Sequence, residues 1–154
     1  MNVLLIRPEL SEAQISPHLG LGYLSAALKQ AGHQVKVLDG TREKISYDPK
    51  DWDLVGLTAM STYFPELCRE VEKAKSYGLK TIIGGAHIIC DPGQSLVDSG
   101  ADYAAAGEGE RTITQLASGM DPSKVEGLYY WENGKMVMTE KYHLKRGYCC
   151  DSKC

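Results

Sequence analysis

Residues 53–85, DLVGLTAMSTYFPELCREVEKAKSYGLKTIIGG, contain the pattern that decides the fold. Two short apolar runs, at 53–58 and 80–83, enclose a segment whose apolar residues recur at helical spacing over 64–74. Short runs rich in valine, isoleucine and leucine are typical of strands buried on both faces, whereas a spacing of three and four marks one face of a helix. The stretch therefore predicts a strand, a helix and a second strand in succession.

The same alternation extends along most of the chain. Further strands are predicted at 2–6, 34–38 and 102–106, and further helices at 23–31, after Asp91-Pro92 and at about 110–117. Strands that alternate with helices pair in parallel through right-handed crossovers, which places helices on both faces of the sheet. The sequence predicts an α/β, doubly wound domain, flavodoxin-like or Rossmann-like, with a five-stranded parallel sheet of order 2-1-3-4-5.

The segment after the fifth strand predicts a β-hairpin. Its apolar residues flank Asn133-Gly134, which supplies the positive φ angles of a type I′ turn. We expect the hairpin, at 125–139, to be an appendage at the end of the sheet. The domain is then 1–140, and 141–154 is a tail without periodicity.

Composition bounds the classes of protein to which the chain can belong. Its 154 residues suffice for one domain, and 17 Lys and Arg against 20 Asp and Glu give a net charge of −3, which disfavours nucleic-acid binding. The first eight residues are too short for a signal peptide or a membrane span, and we expect neither. The five cysteines are odd in number, and three lie within the last six residues, which indicates a reducing cytoplasm.

Glycine and small polar residues are concentrated in the segments that follow the strands. In an open parallel sheet these segments meet at the carboxyl edge, and the ligand is expected beyond the ends of the first and third strands. Any single loop could need its glycines only for a tight turn, but four such loops together favour a ligand site. The predicted binding residues are Leu19, Gly20, Thr58, Ala59, Met60, Ser61, Gly84, Gly85, His87, Gly107, Glu108 and Gly109.

Two common ligand classes of such folds do not match. Gly20-Leu-Gly22 lacks the third glycine of G-x-G-x-x-G, because Ser25 stands in its place, and there is no P-loop. Asp39, at the end of the second strand, could accept a hydrogen bond from a ribose hydroxyl or could be a structural cap.

A phosphorylated receiver domain is excluded, since Thr58 stands near the place of its phosphorylated aspartate.

Five stretches, in order and with natural spacing, carry a resemblance to a known family. They are PHLGLGYLSAAL at 17–28, DLVGLTAM at 53–60, KTIIGGAH at 80–87, the segment 102–110 ending in GEGE, and VEGLYY at 125–130. Together they resemble the N-terminal cobalamin-binding domain of cobalamin-dependent radical S-adenosylmethionine enzymes. That family includes the anaerobic magnesium-protoporphyrin IX monomethyl ester cyclase and radical methyltransferases.

The resemblance implies a corrinoid over the strand ends, with its nucleotide tail between the first and third strands. Thr58-Ala59-Met60 take the place of the family's serine-x-leucine signature, and Gly84-Gly85 match the glycines that line the tail cavity. Gly107-Glu108-Gly109 would lie along the corrin rim.

One motif of cobalamin-binding domains is missing. The D-x-H-x-x-G motif supplies a histidine to cobalt in methionine-synthase-like domains, but here Ser16 stands where His18 would need an aspartate. His18 and His87 remain candidates for a cobalt ligand. A loop histidine is more often hydrogen-bonded or solvated, and we favour that interpretation for both.

The last five residues, Cys150-Asp-Ser-Lys-Cys154, begin the C-x-x-x-C-x-x-C spacing of radical S-adenosylmethionine enzymes. The third cysteine would fall beyond Cys154. Cys150 and Cys154 are therefore either candidate metal ligands or free thiols, and we favour free thiols. A four-iron four-sulfur cluster and S-adenosylmethionine are expected only in a full-length parent.

The sequence thus predicts a module that binds a corrinoid and holds no catalytic residue of its own. Its expected partners are the corrinoid and a radical S-adenosylmethionine catalytic domain that transfers a methyl group or performs an oxidative cyclisation. The alternative is a vestigial domain that has lost the cofactor and is used for docking.

Overall fold

Helices pack on both faces of a central sheet, so the fold is a three-layer α/β/α arrangement. A computed structural model describes residues 1–8, 18–40, 42 and 44–139. In chain order its elements are β1 (Asn2–Arg7), α1 (Leu19–Gln30), β2 (Gln34–Asp39), β3 (Leu54–Thr58), a 3-10 turn (Ser61–Tyr63), α2 (Phe64–Ser76), β4 (Lys80–Gly84), α3 (Ala86–Cys90), α4 (Pro92–Ser99), β5 (Tyr103–Ala105), α5 (Gly109–Ala117), a 3-10 turn (Pro122–Lys124), β6 (Leu128–Glu132) and β7 (Lys135–Met138).

The strands form a single sheet of order β2-β1-β3-β4-β5-β6-β7. The first five strands are parallel and have the predicted order 2-1-3-4-5. The register pairs Leu5 with Gly56 and Gly56 with Ile82, and it pairs Thr58 with Gly84. The carboxyl ends of β3 and β4 therefore lie side by side.

Each face of the sheet has its own core, because the strands are apolar on both faces. Leu67 and Val71 of α2 and Leu96 of α4 pack with Leu4 and Val55 on one face. On the other face α1 and α5 pack over the alternate strand residues, which are Val3, Leu5, Leu54 and Ile82. We refer to these as the α2/α4 face and the α1/α5 face.

The predicted hairpin at the end of the sheet is confirmed, and the structure adds its pairing. Its turn is as expected, with positive φ at Asn133 and Gly134. However, Tyr130 pairs with Tyr103 in antiparallel register, so the hairpin extends the sheet to seven strands. The sequence did not reveal this pairing, because an antiparallel partner needs no helix between it and β5.

Two helix assignments need correction. α1 begins at Leu19, so Gly20 and Gly22 lie in the helix and not in a loop. A short helix, α3, ends at Cys90 and precedes α4, which is the helix predicted after Asp91-Pro92. Five residues are too few for a periodic pattern, which is why the sequence did not indicate α3. No helix in the described part of the chain is long and apolar enough to span a membrane.

Two glycine-to-alanine substitutions should have opposite effects on stability. A Cβ on Gly56 would lie 2.8 Å from Leu5 Cδ2 and 3.3 Å from Ile113 Cδ1, in a packed core, so Gly56→Ala should lower the free energy of unfolding by about 1–3 kcal/mol. Gly22 lies in α1 with nothing within 4 Å of an added Cβ, so Gly22→Ala should raise it by up to about 1 kcal/mol. Urea unfolding followed by circular dichroism measures both, and equal midpoints for the two variants would contradict the described packing.

Candidate functional site

A cleft of about 240 Å³ opens on the α1/α5 face at the carboxyl edge of the sheet. Its strand residues come from β3, β4 and β5, and its remaining residues from α1, α3, α5 and the loop before α5. The lining residues are His18, Gly20, Leu21, Leu24, Gly56, Leu57, Thr58, Ile82, Ile83, Gly84, Gly85, Ile89, Ala105, Gly107, Glu108, Gly109, Glu110 and Ile113.

The cleft lies to one side of the position at which the ligand is expected. The predicted site lay between the first and third strands, but among the described lining residues none belongs to β1 or β2. The carboxyl end of β1 is occupied by Arg7, which is buried and forms an ion pair with Asp39 of β2. Asp39 is therefore part of a strand-to-strand link at this edge.

A row of small residues forms the floor of the cleft. Thr58, Gly84 and Ala105 are neighbours on three adjacent strands and face α1 and α5. A Cβ added to Gly84 would meet nothing nearer than the Cβ of Ala105, 3.9 Å away. The space above Gly84 is thus the open volume of the cleft.

Gly85 is required for a different reason. Its φ of 105° lies in a region that side chains other than glycine rarely adopt, and an added Cβ would overlap the hydroxyl oxygen of Thr58. Gly85 therefore leaves room for the Thr58 side chain as well as turning the chain from β4 into α3.

The hydroxyl of Thr58 faces the cleft and has no partner among the described residues. Thr58 is 8% exposed, and within the described residues no hydrogen bond to its hydroxyl is formed. Buried hydroxyls are normally hydrogen-bonded, because an unmet donor or acceptor costs about 1–3 kcal/mol. A hydroxyl that opens into a cleft can instead bond to a ligand or to water.

The walls of the cleft are apolar. Leu21 and Leu24 of α1 face Ile113 of α5, while Ile82 and Ile89 contribute from the β4 and α3 side. Below the floor row, Ile113 packs over Gly56 and closes the bottom. Such a lining binds the apolar part of a ligand through the area removed from water.

Charged and ionisable groups are found at the rim. His18 caps α1, because its Nδ1 accepts a hydrogen bond from the backbone N–H of Leu21 at 3.3 Å. Burial, and then the charge of Arg7, hold the pKa of His18 below its ordinary value of 6.5. At the other side Glu108 and Glu110 flank the first residue of α5.

Seven of the twelve predicted binding residues line the cleft, and five do not. The seven are Gly20, Thr58, Gly84, Gly85, Gly107, Glu108 and Gly109. Leu19 is 72% exposed at the start of α1, and Ala59 is buried in the α2/α4 core. Ser61 and His87 are joined beside the cleft by a 3.0 Å hydrogen bond between Ser61 Oγ and His87 Nδ1. Met60, which precedes Ser61, is half-exposed.

The residues that the sequence did not reveal are the apolar walls. Leu24 and Ile113 have the helical spacing of ordinary core residues, so nothing in the sequence separates residues that face a ligand from those that face the sheet. Ile89 is 55% exposed next to Ile88, which is fully buried, and this division is visible only in the structure.

The predicted metal ligands Cys150 and Cys154 lie outside the described residues. Within the described part, no group of three or more His, Cys, Asp or Glu side chains is placed to hold a metal ion. The two cysteines that it contains, Cys68 and Cys90, are free thiols.

The fold and the cleft together define a doubly wound α/β domain with a ligand site at the carboxyl ends of its parallel strands. Within that class, the sequence pattern of the B12 binding domain matches residues 11–117, and the chain belongs to this family. A second pattern, a family of unknown function named DUF5522, matches residues 120–154. No curated protein matches the sequence significantly.

Solved structures of low sequence identity share the fold. The radical S-adenosylmethionine methyltransferase TsrM from Kitasatospora setae, with cobalamin and a 4Fe-4S cluster bound, matches with a TM-score of 0.77 and 22% identity over 90% of this chain and 30% of TsrM. The cobalamin-dependent S-adenosylmethionine radical enzyme OxsB matches with a TM-score of 0.64 and 18% identity, over 90% of this chain and 22% of OxsB. A cobalamin-binding protein from Desulfitobacterium hafniense matches with a TM-score of 0.57 and 18% identity, over 78% and 59% of the two chains. This chain therefore spans less than a third of TsrM and of OxsB.

The free energy of unfolding should decrease as the pH falls below neutrality, and His18 should account for part of this decrease. Its folded-state pKa is below the unfolded value, so protons bind the unfolded chain better. The stabilisation is fully present above about pH 6.5 and is lost as the pH falls towards the folded pKa. His18→Asn should retain the cap and show a shallower decline of the unfolding free energy between about pH 8 and pH 5, as measured by urea unfolding.

His18→Ala provides the control for the cap, because it should cost about 1 kcal/mol at pH 8, where the wild-type histidine is neutral. The pKa of His33 is also lowered, but His33 is present in every variant, so it cancels from the comparison. Identical pH profiles for wild type and His18→Asn would rule out this role for His18.

Proposed function

We propose that this chain is a cobalamin-binding module of a radical S-adenosylmethionine enzyme and performs no catalysis by itself. The observation that carries the proposal is the open volume above Gly84, beside the unpartnered hydroxyl of Thr58. Membership of the B12 binding domain family supports the identity of the ligand.

The size of the cleft suits part of a corrinoid. Pockets that enclose whole drug-sized ligands measure about 300–1,000 Å³, and a corrinoid is larger still, so a cleft of about 240 Å³ admits only a narrow portion such as the nucleotide tail. Thr58, Gly84 and Gly85 would hold that tail, and Gly107-Glu108-Gly109 would border the macrocycle. The apolar walls exclude water from the buried base.

The hydrogen bonds of His18 argue against a histidine ligand to cobalt. Because its Nδ1 accepts the N–H of Leu21, a neutral imidazole carries its proton on Nε2, and neither nitrogen then offers a lone pair to a metal. His87 lies outside the cleft lining, stacks on Phe64 with ring centroids 4.1 Å apart and bonds to Ser61. We therefore expect that neither His18 nor His87 would hold the cobalt of a bound corrinoid.

The corrinoid, when bound, would supply a cobalt centre for methyl transfer or oxidative cyclisation in a full-length enzyme. The partner in this proposal is a radical S-adenosylmethionine domain, supported by the fold shared with TsrM and OxsB and by the spacing of Cys150 and Cys154. That domain would hold the iron-sulfur cluster and S-adenosylmethionine. The number and placement of the cysteines favour the cytoplasm.

Filling the cleft should abolish corrinoid binding. Gly84→Trp places an indole in the open volume without requiring an unusual φ, whereas Gly85 would be strained by any side chain, so Gly84 is the better position. We expect the wild-type protein to retain about one equivalent of hydroxocobalamin after desalting, measured by visible absorbance, and Gly84→Trp to retain less than a tenth of that amount.

Val97→Trp is the matched control, because Val97 is an exposed residue of α4 on the opposite face of the sheet. It should bind like the wild type, and circular dichroism should show that both variants are folded. If the wild-type chain retains no corrinoid, a vestigial domain used for docking becomes the better account of the cleft.

A further inference from the structure

We infer that the cleft selects corrinoids by their lower base, favouring a benzimidazole over an adenine. This inference rests on the proposed function, since it assumes that the nucleotide tail enters the cleft. It concerns the specificity of the site, which membership of the family does not define.

Polar side chains are unevenly distributed along the cleft. Thr58 supplies the single side-chain hydroxyl on the floor, and the residues below it, Ile82 and Ile113, are each 3% exposed and apolar. The other polar side chains that line the cleft belong to the rim. They are His18, which is exposed and committed to its helix cap, and Glu108 and Glu110 at the start of α5.

The two bases differ in how many polar atoms they bury. When linked to ribose, 5,6-dimethylbenzimidazole retains one ring nitrogen that accepts a hydrogen bond, and the rest of the base is apolar. Adenine retains three ring nitrogens and an exocyclic amine. The wall side chains, which are leucines and isoleucines, offer no partner to those additional groups, and each buried group left unpaired weakens binding substantially.

The geometry around Thr58 matches a single acceptor. Gly85 leaves space for the Thr58 hydroxyl beside the open volume above Gly84, and the hydroxyl makes no hydrogen bond within the described chain. It can therefore donate to one ring nitrogen. A site that pairs the polar atoms of one ligand discriminates strongly against an analogue whose polar atoms stay unpaired.

Equilibrium titration of the full chain with three corrinoids, followed by visible absorbance and tryptophan fluorescence, tests the inference. The probes are hydroxocobalamin, the cobamide with adenine as lower base, and cobinamide, which lacks the nucleotide tail. We expect hydroxocobalamin to bind at least about tenfold more tightly than either analogue. Equal affinity for the two cobamides would overturn the inference.

Equal affinity for hydroxocobalamin and cobinamide would also overturn the inference, because the tail would then make no use of the cleft, although the proposed function would stand. Failure to bind any of the three would overturn the proposed function as well. These outcomes are distinguishable without any variant, so the test does not depend on a mutant that folds.

Thr58→Val supplies a second test, because it removes the hydroxyl and retains the branched shape. It should weaken hydroxocobalamin binding by about tenfold and leave cobinamide binding unchanged, while Thr58→Ser should keep most of the affinity. A merely structural role of Thr58 would weaken both ligands equally, and that result would contradict the assignment.

Discussion

The lack of side chains at the carboxyl end of β4 is the constraint on which the site depends. Two residues further into the sheet, Ile113 covers Gly56, which lies beside Ile82 and Tyr103 in a packed core. At the edge, the row Thr58, Gly84 and Ala105 has too little volume to fill the space beneath α1 and α5. A change of side-chain size over two residues of each strand, roughly 7 Å, converts a core into a cleft.

The two glycines at this edge contribute differently, and together they connect the two faces of the domain. Gly84 provides volume, whereas Gly85 provides a backbone conformation that directs the chain into α3. α3 then buries Ile88 in the α2/α4 core and presents Ile89 to the cleft. The cleft wall is thus anchored in the opposite core, which makes its position depend on packing far from the ligand site.

The architecture was largely predictable because the spacing of apolar residues along the sequence distinguishes its strands from its helices. Five apolar runs located the parallel strands to within one or two residues, and Asn133-Gly134 located the hairpin turn. The start of α1 was not predictable, because histidine is not among the usual N-cap residues and His18 acts through a ring nitrogen. The cleft was predictable where glycines mark it. Its walls were not, since Leu24 and Ile113 satisfy the same amphipathic pattern whether they face the sheet or a ligand.

An apolar cleft of this kind is itself an argument for an occupant. Side chains such as Leu24 and Ile89 that border open volume lose the dispersion contacts that a filled core would give them, and the chain has no compensating hydrogen bond at Thr58 within its described part. A Cβ at Gly84 would meet nothing nearer than 3.9 Å, and a side chain extended into the open volume would recover some of this packing. A ligand that enters the cleft makes these contacts instead. The contacts add to its binding free energy and stabilise the folded domain. The open volume above Gly84 is therefore the structural feature that favours the proposed cofactor-binding module over a domain used only for docking.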